Sequence, residues 1–171
     1  MSFFLNLKSK ETQCINGCSL FNDLSQFSYW ENKDATNDEK YITNYLNKKN
    51  SLNLKKILHV GIGNSYIAKN LSNFKKIDGI SLSKNEIDFA LKLKILNYHV
   101  FYQNKYAKLN LLNEKINFYD IIIDVNLKSF SCCDHAFDYL FHIYSKILNT
   151  KGVLITARDG MNWSRQVKPV L

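Results

Sequence analysis

The fold of this chain is indicated first by Ile57-Leu58-His59-Val60-Gly61-Ile62-Gly63-Asn64-Ser65, an apolar run that breaks into two closely spaced glycines. A short β-branched run flanked by glycine is typical of a buried strand, and Gly61 and Gly63 allow a tight turn or a close approach to a ligand. Residues 66–71 then read as a helix whose first amides point at the turn. A glycine pair can also serve only to turn the backbone, so the rest of the sequence must show whether a ligand binds at this turn.

The chain after residue 53 alternates apolar strands with amphipathic helices, as expected for repeated β-α units. Such units predict an α/β fold with a doubly wound, mainly parallel sheet, whose ligands bind at the carboxyl ends of the strands. Strands are predicted at residues 54–60, 76–81, 98–103, 118–125 and 153–156, and those carboxyl ends are residues 61–65, 81–83, 103–105, 124–128 and 156–159. Helices are predicted at residues 37–49, at 65–74, after a Ser83-to-Glu86 capping box and from Asp134 to a turn at 149–152, with a short helix or turn at 109–114.

At 171 residues the chain fits one domain. We predict a single unit over residues 1–171, made of an N-terminal cap (1–52), a core (53–157) and a tail (158–171). The first residues lack the pattern of a signal peptide or a membrane span, so the expectation is a cytoplasmic protein without membrane association.

Three motifs follow the glycine turn in a characteristic order. They are Ile77-Asp78-Gly79-Ile80-Ser81-Leu82-Ser83, then Tyr119-Asp120-Ile121-Ile122-Ile123-Asp124, then Leu148-Asn149-Thr150-Lys151-Gly152-Val153-Leu154-Ile155. Together with residues 57–65 they resemble the motifs of class I S-adenosylmethionine-dependent methyltransferases, over residues 54–157. The resemblance implies a Rossmann-like fold and S-adenosylmethionine as cofactor.

The resemblance also implies roles for individual residues. Gly61 and Gly63 would approach the methionine part of the cofactor and Ser81 the ribose hydroxyls. The full cofactor set carried over is His59, Gly61, Gly63, Asn64, Ser81 and Leu82. Asp124 and Asn126 would lie near the transferred methyl group, where catalysis in this family is mainly the positioning of a nucleophile.

The chain departs from the family pattern at four points. The family usually has an acid at the position of His59, a glycine at that of Ser65 and an acid at that of Ser81. A serine makes one neutral hydrogen bond where a carboxylate makes charge-assisted ones, so binding weakens unless Asp78, Glu86 or another group compensates. The tail is also too short for the usual terminal antiparallel hairpin. We therefore predict that a homodimer or a tail strand covers the edge of the last strand.

Methyl transfer to an unknown acceptor is the leading interpretation of these motifs. The first alternative is a methyltransferase-like module that has lost catalysis and serves in binding or assembly. A weaker one is a related fold that uses decarboxylated cofactor for aminopropyl transfer.

The formal net charge of the chain is +8. Clustered basic residues neutralise phosphates, so an anionic partner such as RNA or an acidic protein is one interpretation. We favour the other, dispersed solvated lysines, because only Arg158 and Arg165 are arginine and the lysines are spread along the chain.

Cys14, Cys18, Cys132 and Cys133 are too few and too oddly placed for a disulfide framework. They could be imagined as zinc ligands, but neither pair has the usual two-residue spacing. We therefore predict no metal site and expect thiols that pack as small hydrophobic residues.

Other residues have two interpretations each. Tyr29 and Trp30 either close over a ligand or anchor the cap. His135 and His142 are seven residues apart and so share one helix face. Either could be a general base, but we favour the interpretation that they are partly exposed helix residues without a catalytic role. Residues 158–165 either contact substrate or fold back over the site.

Overall fold

The computed structural model describes residues 13–20, 34–49, 52–108, 112 and 115–157. Within them five strands form one sheet in the order β3-β2-β1-β4-β5, and every pairing is parallel. The predicted α/β fold with a mainly parallel sheet is thus confirmed. The strands are β1 (Lys56–Val60), β2 (Lys76–Ser81), β3 (Tyr98–Tyr102), β4 (Tyr119–Asp124) and β5 (Leu148–Ile155).

Helices cover both faces of the sheet. They are α1 (Asn37–Asn47), α2 (Tyr66–Asn70), α3 (Lys84–Lys92) and α4 (Asp134–Ile147), with a short 3-10 turn at Leu52–Leu54. Because successive strand residues point to opposite faces, Ile57 packs with α1 and α2 whereas its neighbour Leu58 packs with α4. Helix α3 covers β3 beside α2, with Ile87 and Ala90 as its buried contacts. Burial on both faces explains the continuous apolar runs of β1 and β4.

Strand β1 lies between β2 and β4 at the centre of the sheet. The chain therefore moves outward from β1 to β3 and then crosses back to β4, so the connections that leave β1 and β4 diverge. This divergence opens a crevice at the carboxyl ends of the two strands, which is where ligands of open parallel sheets bind.

The largest differences from the predicted boundaries are at the end of α2 and the start of β5. Helix α2 ends at Asn70 rather than at residue 74, because Leu71 is extended and Asn73 is left-handed (φ 60°). Strand β5 begins at Leu148, directly after α4, where a turn was predicted at residues 149–152. Leu148 pairs with Tyr119 through an irregular register of β4 and β5, so tertiary pairing replaces the local turn.

The predictions for Tyr29, Trp30 and residues 158–171 lie outside the described residues, as does most of the segment 109–114. No helix in the described part of the chain has the length and apolarity needed to cross a membrane.

Candidate functional site

A cavity of about 400 Å³ opens at the carboxyl ends of β1, β2 and β4. Its walls come from the start of α1, the turn after β1, the end of β2 with the start of α3, and the loops after β3 and β4. A volume in this range suits a small-molecule ligand. The structure brings seven of the eight residues selected from the sequence to this cavity: Gly61, Gly63, Asn64, Ser81, Leu82, Asp124 and Asn126.

The glycine turn has the backbone conformation that its sequence requires. Gly61 (φ 75°) and Gly63 (φ 51°) are both left-handed, and the Gly61 N–H donates to the Ile80 carbonyl oxygen at 2.8 Å. Ser65 is also left-handed (φ 58°), a conformation that costs a residue with a Cβ about 1–2 kcal/mol. Its hydroxyl lies 3.1 Å from Tyr98 Oη. The conformation of Ser65 explains why a glycine is usual at this position in the motif.

Glu86, on the first turn of α3, places a carboxylate beside this turn. Ser81 Oγ donates to Glu86 Oε2 at 2.6 Å, and the Gly63 backbone N–H donates to the same carboxylate. Burial raises the pKa of Glu86, while these two hydrogen bonds oppose the rise. The cavity thus carries a carboxylate next to Ser81, where the sequence pattern lacks one.

The capping box predicted for Ser83 and Glu86 forms only in part. Ser83 Oγ accepts the Glu86 N–H at 3.3 Å, as predicted. The reciprocal bond is replaced, because the Ser83 N–H donates to Ser81 Oγ at 2.9 Å instead of to Glu86. The hydroxyl of Ser81 therefore takes over the capping role and leaves the Glu86 carboxylate directed at the cavity.

The start of α1 supplies a second acidic wall. Thr36 and Glu39 form a complete capping box, with Thr36 N–H donating to Glu39 Oε2 at 2.8 Å. Glu39 Oε1 would lie only 3.8 Å from a Cβ placed on Gly63, so it stands directly over the glycine turn. The negative charge of Glu39 is a further cause of the raised pKa of Glu86. The cavity therefore favours a ligand with positive charge near the turn.

Lys105 and Asp124 form a buried ion pair in the wall of the cavity. Lys105 Nζ lies 3.0 and 2.8 Å from the two carboxylate oxygens, and it also donates to the carbonyl oxygens of Asn126 and Leu127 at 2.9 and 3.0 Å. Tyr144 Oη donates to Asp124 Oδ2 at 2.8 Å. Burial lowers the pKa of Lys105, and the charge of Asp124 opposes the effect. The Asp124 carboxylate is thus engaged in holding the loop after β4.

Solved structures share the fold of this chain at low sequence identity. The sugar N-methyltransferase KedS8 from a Streptoalloteichus species is 15% identical, with a TM-score of 0.55 over 80% of this chain and 52% of that chain. The cyclase SpnF is 18% identical, with a TM-score of 0.55 over 75% of this chain and 49% of that one. CalH, a methyltransferase solved in complex with SAH, is 15% identical, with a TM-score of 0.52 over 67% and 34% of the two chains. The chain thus spans about half of KedS8 and SpnF and about a third of CalH.

The chain has a class I methyltransferase-like fold. No family model matches the sequence, and no curated protein matches it at a significant level, so the likeness rests on three-dimensional structure.

His59 has a different place in this methyltransferase-like fold from the one that the motif implied. Its ring is fully buried on the face of β1 that packs with Ile57, and it does not line the cavity. Neither ring nitrogen has a hydrogen-bond partner among the described residues. Burial lowers the pKa of His59 to about 4, so the ring is neutral at pH 7.

Several residues that the methyltransferase-like fold brings to the cavity were not among those selected from the sequence. Thr36, Asp38 and Glu39 line it, and the spacing of Thr36 and Glu39 is a capping-box signature that could have located the helix start. Lys105 was noted only as a strand-end position. Its pairing with Asp124 carries no local sequence signal, because the two residues are 19 apart. Asp78 does not line the cavity but binds Lys115 and Tyr119. Of the two acids that could compensate for Ser81, only Glu86 therefore lies at the cavity.

The four cysteines, which were expected to pack as small hydrophobic residues, lie together. Their sulfur atoms form one cluster between the 13–20 segment and the start of α4.

Proposed function

We propose that this chain is an S-adenosylmethionine-dependent methyltransferase that binds its cofactor in the cavity above the glycine turn. The observation that carries the proposal is the carboxylate of Glu86, held by Ser81 and Gly63 at the edge of a cavity of about 400 Å³. In this proposal Glu86 accepts hydrogen bonds from the ribose hydroxyls, and it replaces the acid that the motif lacks at residue 81.

The other residues of the cavity have roles that follow from their chemistry. Gly61 and Gly63 leave space for the methionine part of the cofactor, since a Cβ built on Gly61 meets no atom within 4 Å. Glu39 and Glu86 supply negative charge near the sulfonium and ammonium groups, and opposite charges attract more strongly in a partly buried site than in water. Leu82 offers an apolar contact.

Asp124 has a positioning role in this proposal and is not the group that accepts a proton. Its two oxygens already face Lys105 and Tyr144, and the same lysine holds the carbonyl of Asn126. The pair would therefore keep the loop after β4 in a shape that leaves Asn126 beside the transferred methyl group. The transfer itself is an in-line attack of the acceptor on the sulfonium methyl group, for which orientation is the main requirement.

Calorimetric titration with S-adenosylhomocysteine tests the proposal directly. We expect saturable binding of one ligand per chain, and the absence of heat at millimolar ligand would reject it. A second assay follows transfer of a labelled methyl group from S-adenosylmethionine to the macromolecules and small molecules of a cell extract. Binding without transfer would instead support the alternative of a methyltransferase-like module that has lost catalysis.

A further inference from the structure

All four cysteines of the chain lie in one cluster outside the cavity. Cys14 and Cys18 come from the 13–20 segment, and Cys132 and Cys133 come from the start of α4, more than a hundred residues later. Their four sulfur atoms lie within 4.8 Å of one another. The Cys14–Cys133 and Cys132–Cys133 sulfur pairs are 4.0 and 3.8 Å apart.

The Cys14–Cys133 and Cys132–Cys133 separations match the edges of a metal tetrathiolate. A tetrahedron with Zn–S bonds of about 2.3 Å has sulfur atoms roughly 3.8 Å apart, whereas a disulfide brings them to about 2.0 Å. We propose that Cys14, Cys18, Cys132 and Cys133 bind one Zn²⁺ ion in a closed structural site. Each thiol that binds the ion gives up its proton to solvent, so four protons leave as four Zn–S bonds form.

The backbone around the sulfur atoms is arranged to receive thiolates. The Asn16 N–H donates to Cys14 Sγ at 3.3 Å, and the Ala136 N–H donates to Cys133 Sγ at 3.4 Å. Cys133 is the N-cap of the 14-residue helix α4, whose positive end stabilises negative charge. Donors and helix dipole together offset the excess negative charge that four thiolates bring to one divalent ion.

The first pair of ligands is presented by a tight turn. The Cys14 N–H donates to the Cys18 carbonyl at 3.0 Å and the Gly17 N–H donates to the Cys14 carbonyl at 2.9 Å. Gly17 is left-handed (φ 77°), which lets the chain reverse within four residues. This reversal places both sulfur atoms on the side that faces α4, and it explains how a three-residue spacing can supply two ligands.

The proposed ion would join two segments that lie far apart in the chain, and the first of them contacts a third. The 13–20 segment meets the loop after β3 through the Lys108 N–H and the Gln13 carbonyl, at 3.3 Å. Cys14 is also buried in the same core cluster as Tyr106, which belongs to that loop. Cys132 and Cys133 end the loop after β4. Both of these loops form walls of the cavity, so zinc would hold the cavity in shape from outside without touching a ligand.

Elemental analysis of the full chain, purified with reductant and without chelator, is the first test. We expect about one zinc atom per chain in the unmodified protein and a loss of most of it in a Cys14→Ser, Cys133→Ser double variant. Ser19→Ala is the matched control, because Ser19 lies exposed in the same turn and leaves the four thiols intact. It should retain zinc in full.

A second readout does not depend on zinc content after purification. Co²⁺ added to the chelator-treated, reduced chain should produce the visible bands of a tetrahedral thiolate complex, and the double variant should lack them. Removal of zinc by chelator should also lower the unfolding temperature of the unmodified chain by several degrees and leave that of the double variant unchanged, because an ion that binds only the folded state stabilises it.

Three results would overturn the proposal. The first is a reduced, folded chain that holds no zinc and gives no cobalt spectrum. The second is intact-mass evidence of disulfide bonds among the four cysteines in the chain as it is isolated. The third is stoichiometric iron in place of zinc. None of these outcomes measures cofactor binding, so the metal site and the proposed function are tested separately.

Discussion

Glu86 illustrates how one side chain can exchange roles with its neighbour. Its spacing from Ser83 is that of a capping box, yet Ser81 accepts the Ser83 N–H in its place, and the Glu86 carboxylate faces the cavity. The acid that the motif lacks at residue 81 therefore has a substitute five residues later in the chain. A position-by-position comparison of the sequence with a motif misses such an exchange, because a side chain from a different position in the chain can reach the same point in space.

The Glu86→Gln variant should separate ligand binding from stability. A charge-assisted hydrogen bond contributes about 1.5–3 kcal/mol, so we expect S-adenosylhomocysteine to bind roughly tenfold to a hundredfold more weakly. The folded-state pKa of Glu86 is raised, so its contribution to stability is present at acid pH and is lost as pH rises through that pKa. At pH 7 the variant should therefore be at least as stable as the unmodified chain.

Asp88→Asn is the matched control for this variant, because Asp88 is an exposed acid on the same helix. Calorimetry and thermal unfolding at pH 7 give the two readouts. Equal losses of affinity in both variants, or unchanged affinity in Glu86→Gln, would contradict the role assigned to Glu86.

His59 should make the stability of the chain sensitive to acid. Its pKa is depressed from 6.5 to about 4 in the folded state, so its contribution to stability is present above pH 6.5 and is lost as pH falls towards 4. This difference in pKa corresponds to a loss of about 3 kcal/mol in the free energy of unfolding once the ring is fully protonated. His59→Leu should remove this part of the acid sensitivity, with a change at pH 7 of less than about 1.5 kcal/mol because the ring nitrogens are unpaired and the volumes are similar.

Urea unfolding at a series of pH values between 4 and 7 measures the effect. His142→Leu is the control, since His142 is exposed on α4. If the His59 variant keeps the full acid dependence, the unpaired neutral state assigned to this histidine is wrong.

Buried polar contacts join elements that end at the cavity. Lys105, on the loop after β3, joins Asp124 at the end of β4, and Tyr144 ties the same carboxylate to α4. Three elements thus meet at one carboxylate. Such a cluster gives the loops a defined arrangement, although apolar packing of similar volume could be equally stable.

A double-mutant cycle on this pair should show strong coupling. Lys105→Met alone should destabilise the chain by about 3–5 kcal/mol, because it leaves the buried Asp124 carboxylate without its charge partner. Asp124→Leu alone should cost a similar amount, and the double variant much less than the sum, as measured by urea unfolding. Additive effects would show that the pair does not act as a unit.

Lys55 offers a comparison at the surface. It lies 3.7 Å from Asp120, with 37% of its side chain exposed. Lys55→Met should therefore change the free energy of unfolding by less than about 1 kcal/mol.

At the scale of the whole molecule, the sheet ends in β5, which pairs only with β4 among the described strands. Val153 on this strand is half exposed. An open edge of this kind can pair with another chain, so we predict that a second copy or the tail covers it. The anionic partner considered from the charge of +8 stays the less favoured alternative to dispersed, solvated lysines.

Sedimentation velocity over a wide range of protein concentration tests the edge prediction. We expect a dimer, or a monomer in which hydrogen exchange protects the β5 backbone and the tail. A substitution of Val153 by Lys should weaken a dimer, because charge on an edge strand opposes pairing. A monodisperse monomer with an unprotected tail would contradict the prediction.

From the sequence alone we could predict the order of strands and helices, the parallel sheet and the turn after β1. Apolar periodicity and glycine positions are local properties. Seven of the eight residues that the family resemblance selected lie at the cavity, where the carboxyl ends of the parallel strands meet. The sequence could not determine where α2 ends or where β5 begins, because contacts with distant residues overrode the local pattern. Asn47 binds the Asn70 carbonyl and the Ser72 N–H at the end of α2. Leu148 pairs with Tyr119 at the start of β5.

Which functional groups line the site could be determined only from the tertiary structure. The direction of the Glu86 carboxylate, the pairing of Lys105 with Asp124 and the isolation of His59 depend on groups from other elements. The cysteine cluster is the clearest case, because Cys14 and Cys133 are 119 residues apart. Spacing along the chain cannot reveal such a contact. Its geometry is set by the packing of a whole domain, in which residues far apart in sequence become neighbours.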